Sequence, residues 1–152
     1  VEGSRPTPGR YATILGGIFN ECRRVLKPEH GRLVFTFHHW KPCAWAELTV
    51  ALKRAGFHLE ECYVVHSENP ISVHIRTLRA LKHDAVLVLA PFATERTWPC
   101  PDRVDMDDSR TFIADCSAAL GWLLDSNYSE DEISRCWTAL LKREDHDSAL
   151  PC

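Results

Sequence analysis

From Tyr11 to Leu26 the apolar residues Tyr11, Ile14, Leu15, Ile18, Phe19, Cys22, Val25 and Leu26 recur at three- and four-residue steps, the period of a helix with one apolar stripe. Pro28 and Gly31 end that pattern, and Arg32 to Phe37, rich in β-formers between turn residues, reads as a short buried strand. Pro42 suits a first helical turn, and Trp45, Leu48, Leu52 and Ala55 make a second stripe that closes at Gly56. Phe57 to Val65 alternates only partly in polarity and reads as a second strand. Asp84 to Ala90 is apolar enough to be a third, central and covered on both faces.

Beyond Pro91 the pattern changes. Residues 92 to 107 contain Trp98-Pro99-Cys100-Pro101, which breaks regular structure and suggests a linker. Two further helices follow, about Asp108 to Asp125 and a second opened by Ser129 with Glu132 three residues on, a capping box. Their stripes, with Trp122 and Trp137 as core residues, suggest a helical hairpin over 108 to 144. Residues 1 to 9 are expected to be a disordered N-terminus and 145 to 152 a frayed tail.

Composition narrows the class without selecting a function. The chain has 152 residues, 45% hydrophobic and 26% charged, within the range of a globular domain. A net charge of -3 exerts no global pull toward nucleic acid or anionic lipid, so any basic site must be local. No apolar run approaches the roughly 18 residues that span a bilayer, and the first residues lack a signal-peptide apolar region. A cytoplasmic protein without a membrane partner is expected. The seven cysteines are odd in number and form no Cys-x-x-Cys pair, which indicates neither a disulfide framework nor a zinc ribbon. Cys22, Cys116 and Cys136 fall on apolar helix faces, where a thiol behaves as a small hydrophobe. The only methionine is Met106, so the expectation is a chain that was processed, started at a valine codon or cut from something longer.

The run Ile18-Phe19-Asn20-Glu21-Cys22-Arg23-Arg24-Val25-Leu26-Lys27-Pro28, followed by Gly31-Arg32-Leu33-Val34-Phe35-Thr36-Phe37, resembles the helix and fifth strand of class I S-adenosylmethionine-dependent methyltransferases. Glu29-His30-Gly31 stands where that family usually has a double glycine. The continuation His38-His39-Trp40, Trp45 through Phe57, and His66-Ser67-Glu68-Asn69-Pro70-Ile71-Ser72-Val73-His74-Ile75 resembles adenine-specific DNA methyltransferases of the zinc-ribbon-associated kind. The resemblance covers about residues 10 to 91 and leaves 92 to 152 unaccounted for.

That resemblance implies an α/β fold: a partial Rossmann-like methyltransferase sheet of three C-terminal strands with flanking helices, followed by the helical hairpin. It also implies that the third strand returns antiparallel between the other two. The reaction it implies is methyl transfer from S-adenosylmethionine to the exocyclic amine of adenine in DNA. The family's glycine-rich loop and its Asp/Asn-Pro-Pro-Tyr motif do not occur in this chain. The chain is therefore expected to be inactive alone, to bind no S-adenosylmethionine tightly, and to need a missing N-terminal half or partner chain. A different-class alternative is a non-catalytic split or decayed half that acts as a protein-pairing or DNA-binding module; an open apolar strand edge invites such association.

Candidate site residues follow from strand-end placement, since ligands of parallel α/β sheets bind beyond the carboxyl ends of the strands. His38, His39 and Trp40 are candidates for contact with a flipped base or its neighbours, because an aromatic face stacks on any base. Alternatively Trp40 caps the next helix and the histidines are solvated. A metal role for His38 and His39 is disfavoured, since adjacent residues on an extended segment point apart. Arg76, Arg79 and Lys82 are candidates for phosphate contact, or equally one solvated face. Ser67, Glu68 and Asn69 either join that DNA-binding surface or shape a turn beside Pro70.

Overall fold

The computed structural model describes residues 9–67 and 81–142. The helix α1 spans Arg10–Val25, the strand β1 Leu33–Phe37, α2 Pro42–Ala55, β2 His58–His66, β3 His83–Ala90, α3 Ser109–Asp125 and α4 Glu130–Leu140. Each element expected from periodicity is present, with ends displaced by one residue. α2 opens with Pro42 at its first position and closes at Gly56, whose φ of 77° is the left-handed conformation that lets its N–H reach back to Leu52 and Lys53. α4 carries the capping box: Glu132 Oε2 accepts the Ser129 N–H at 2.7 Å, and Ser129 Oγ accepts the Glu132 N–H at 3.3 Å.

The sheet is three-stranded in the order β1-β3-β2, and β3 runs antiparallel to both neighbours. β1 and β2 are therefore parallel, with the third strand returning between them as the resemblance implied. Register fixes the faces. Leu33, Leu89 and Leu59 lie abreast, then Phe35, Leu87 and Cys62, then Phe37, Ala85 and Val64. All the helices are on this side: Phe19 of α1 stacks on Phe35 at 5.6 Å, Trp45 of α2 meets Phe37 edge-on at 4.8 Å, and α3 lies on β2 and β3.

The other face holds Val34, Val88 and Glu61, then Thr36, Val86 and Tyr63. No described helix covers it, and Val34 is 55% exposed. The expectation that β3 is covered on both faces is thus corrected. The apolar continuity of Val86, Leu87, Val88 and Leu89 marks a central strand, but only Ala85, Leu87 and Leu89 face the core.

The single stripe expected for α1 also divides. Gly16 rests against Ala51 of α2 and Phe19 against β1, whereas Tyr11, Ile14 and Ile18 are exposed at 44%, 53% and 52%. At 100° per residue these three lie past the Phe19 direction, away from α2. α2 packs against both α1 and α3, and α1 reaches the sheet through Phe19 on Phe35 of β1 while Tyr11, Ile14 and Ile18 stay exposed.

The C-terminal region shares the core of the sheet and the first two helices. α3 packs on the sheet and α4 on α2; Phe112, Ile113, Ile133 and Trp137 belong to the same buried cluster as Trp45 and Leu87. Trp45 and Trp137 stack at 5.3 Å, and Trp137 Nε1–H donates to Thr49 Oγ1 at 2.9 Å. Each helix here buries its stripe against whichever apolar face is nearest, and α2 presents one on two sides. Residues 92 to 107 are likewise tied down: Trp98 lies over Gly121 and donates from Nε1 to the Leu59 carbonyl at 2.7 Å, and Val104 is buried. Trp137 is core as expected, whereas Trp122 is only partly buried against Tyr128. Cys116 is buried as expected, Cys22 and Cys136 only partly, and Cys43 is disulfide-bonded where spacing indicated no bridge.

Candidate functional site

One end of the sheet gathers the chemistry. Because β3 starts where β1 and β2 finish, His83 and Asp84 lie beside the residues that follow Phe37 and Val65. His38 Nδ1 pairs with Asp84 Oδ1, and the half-exposed ring projects from the strand end. The His66 and His83 rings, on register partners of β2 and β3, lie 4.4 Å apart. Ser67 N–H donates to the Lys82 carbonyl at 3.0 Å, continuing the ladder by one pair. Lys82 N–H donates in turn to Ser109 Oγ at 3.0 Å, which ties the first turn of α3 to this end.

The three consecutive candidates on β1's exit have different roles. His39 is structural: its Nδ1 accepts the Lys41 N–H at 2.9 Å, and its carbonyl accepts the Trp45 indole N–H at 2.7 Å. Burial first, then the nearby Lys41 and His38 charges, hold its imidazole below the ordinary histidine range. A neutral ring is what an Nδ1 acceptor requires. Trp40 rests on Phe112 of α3, ring centroids 4.6 Å apart and tilted by 46°, and keeps a partly exposed side. His38 and His39 are both exposed and Trp40 partly so, but the His39 ring is engaged through Nδ1 by its own loop.

Of the remaining candidates, Lys82 is exposed at the same end, while Ser67 Oγ is buried there. Glu68, Asn69, Arg76 and Arg79 lie outside the described residues. Among the described residues no group of three or more His, Cys, Asp or Glu side chains could hold a metal ion.

Asp84, His83 and Ser109 were not singled out in the sequence. Asp84 reads there as the start of an apolar strand and Ser109 as the entrance to a helix. Only the placement of β3 between β1 and β2 turns these into the carboxylate partner of His38 and the hydroxyl partner of His83. A signal existed: a charged Asp immediately before a central strand is costly unless a counter-charge meets it.

Among the described residues the glycines do not form a phosphate- or nucleoside-cradling loop. Gly9 and Gly56, the glycines with positive φ, are helix caps, and Gly16 is packed against α2. No described strand is followed by a glycine loop whose amides could cradle a ligand. No helix among the described residues is long and apolar enough to cross a membrane. Scanned against protein-family models the chain matches none, and comparison with curated proteins and with solved structures returns no significant match.

Proposed function

We propose that this chain is the C-terminal part of a DNA-modifying class I methyltransferase, inactive alone, which lends one wall of the substrate site to a half that carries the cofactor and the catalytic motif. The observation that carries the reading is a juxtaposition. Two parallel strands, β1 and β2, deliver His38, Trp40 and Ser67 to one end of the sheet, where Lys82 enters the antiparallel β3, the end at which α/β sheets bind ligands. Trp40 offers a ring for stacking on a base and Lys82 a charge for phosphate. The substrate, adenine in DNA, and the methyl donor, S-adenosylmethionine, come from the sequence resemblance of residues 10 to 91, and the step from fold to chemistry is one of analogy.

A second reading, a non-catalytic pairing module, is favoured by the outer edge of β1. β2's edge is blunted by a bulge at Glu60 and by the Trp98 indole on the Leu59 carbonyl. On the β1 side, by contrast, Val34 of the strand and Tyr11, Ile14 and Ile18 of α1 leave apolar surface exposed. A strand edge beside exposed apolar side chains suits an added strand. A strand joined to α1 by the usual right-handed crossover would take that edge, parallel to β1.

Sequencing the coding DNA immediately upstream of Val1 separates the two. An in-frame extension with a glycine-rich loop and an Asp/Asn-Pro-Pro-Tyr motif supports the enzyme, and Trp40→Ala should then weaken DNA binding by the longer protein. A stop codon directly before Val1, with no methyl transfer when the chain is assayed on DNA with S-adenosylmethionine, supports the pairing module.

A further inference from the structure

The His66–His83 pair is not used by either reading, and its surroundings are unusual for imidazoles. His83 is only 9% exposed. Ser109 Oγ accepts the Lys82 N–H at 3.0 Å and lies 3.1 Å from His83 Nδ1, where a neutral ring accepts the Ser109 hydroxyl proton. Protonation turns Nδ1 into a donor toward the same oxygen and sets a positive charge at this point. Ser109 is the first residue of α3, whose N-terminal end is positive and opposes a charged ring.

The charged groups facing His83 among the described residues come from three elements. They are His66 on β2, Lys82 at the start of β3, and Arg110 and Asp108 at α3. Asp108 is the lone anion, and its carboxylate is engaged by the Thr111 N–H at 2.8 Å and hydroxyl at 2.7 Å. The same helical turn carries Phe112, on which Trp40 rests.

We propose that His83 is an acid-sensitive latch: neutral, it binds the first turn of α3 to the end of the sheet, and its protonation releases that turn and with it the seat of Trp40. The device stands on the geometry of this end and does not depend on the methyl-transfer reading. Desolvation, followed by His66 and Arg110, holds the His83 imidazole below the ordinary histidine range. A group whose value is lowered by folding takes up its proton more readily when unfolded. The latch is therefore fully closed above about pH 6.5, the unperturbed histidine value, and weakens as the pH falls below it.

Hydrogen exchange on the 152-residue chain, corrected for intrinsic rates, tests this at about pH 7.5 and about pH 5.5, on either side of the histidine range. Amides 110 to 113 should lose protection by about tenfold at the lower pH, because opening is then coupled to the uptake of one proton over about a decade of acidity, while those of β3 from 85 to 90 keep theirs. In His83→Asn, which offers an acceptor but cannot titrate, the loss should vanish. Should that variant not fold, the ring titration of His83 in the unaltered chain decides by NMR. A value at or above that of an exposed histidine, or release of residues 110 to 113 that persists in His83→Asn, overturns the latch.

Discussion

The union of the C-terminal helix with the rest of the protein rests on a buried chain of contacts that can be cut one link at a time. Trp45, Thr49 and Trp137 are each 0% exposed. Trp137 Nε1–H donates to Thr49 Oγ1 at 2.9 Å, and Thr49 Oγ1–H donates to the Trp45 carbonyl at 2.7 Å. Thr49→Val keeps the volume but strands the indole N–H in a dry site, a loss of about 1–3 kcal/mol. Trp137→Phe removes the donor instead; the Thr49 hydroxyl keeps its carbonyl, so the cost is the lost ring volume, about 1–2 kcal/mol. The double variant leaves no stranded donor and should cost less than the two single changes together, by about 1 kcal/mol. Urea unfolding followed by tryptophan fluorescence and by far-ultraviolet circular dichroism measures all three. Each variant should show one coincident transition, since α4 shares the core of α2. Strict additivity would refute the hydrogen-bond argument, and a separate early transition in circular dichroism alone would refute the shared core.

Other outcomes follow from the same geometry. Gly121→Ala should destabilise by about 1–3 kcal/mol, because the added Cβ would fall well inside contact distance of the Trp98 ring; a shift in tryptophan emission should report the displaced ring. Arg54→Ala should change stability by less than about 1 kcal/mol, since the Arg54 and Glu130 side chains are 43% and 53% exposed despite their 2.5 Å contact; equilibrium denaturation checks it. Ser129→Ala should cost about 1 kcal/mol by removing the capping box of α4, read from the same denaturation curves. If Lys82 meets phosphate, affinity for DNA should fall with rising salt, and less steeply in Lys82→Ala; a salt-independent affinity would remove phosphate contact from the proposal.

What the sequence determined alone was local. The three- and four-residue spacing of apolar residues, Pro42 and Gly56 at the ends of α2, and Ser129 with Glu132 at the head of α4 are decided by backbone sterics and hydrogen bonding within a few residues. These signals survive in one dimension. The strand was legible as residues 84 to 90 for the same reason, and its nearly continuous apolar run pointed to a central place, although the same run also pointed to cover on both faces and only one is covered.

Tertiary structure decided which apolar surface meets which. Nothing local distinguishes Phe19, which stacks on Phe35, from Ile14 and Ile18, which stay exposed; that choice depends on where α2 lies. The Trp98-Pro99-Cys100-Pro101 run reads as a linker because its chain breaks regular structure, yet Gly121 on α3 leaves the space that the Trp98 ring fills. The site shows the same division. His38 and Trp40 were visible at a strand end, but the partners that give them chemistry, Asp84 and Phe112, lie 46 residues away for His38 and on α3 for Trp40. His39, identical to its neighbour in one dimension, differs from it by two hydrogen bonds, one at its ring from Lys41 and one at its carbonyl from Trp45 of α2. Pairing across the sheet couples residues far apart in sequence, and a periodicity read along one chain holds no record of that coupling.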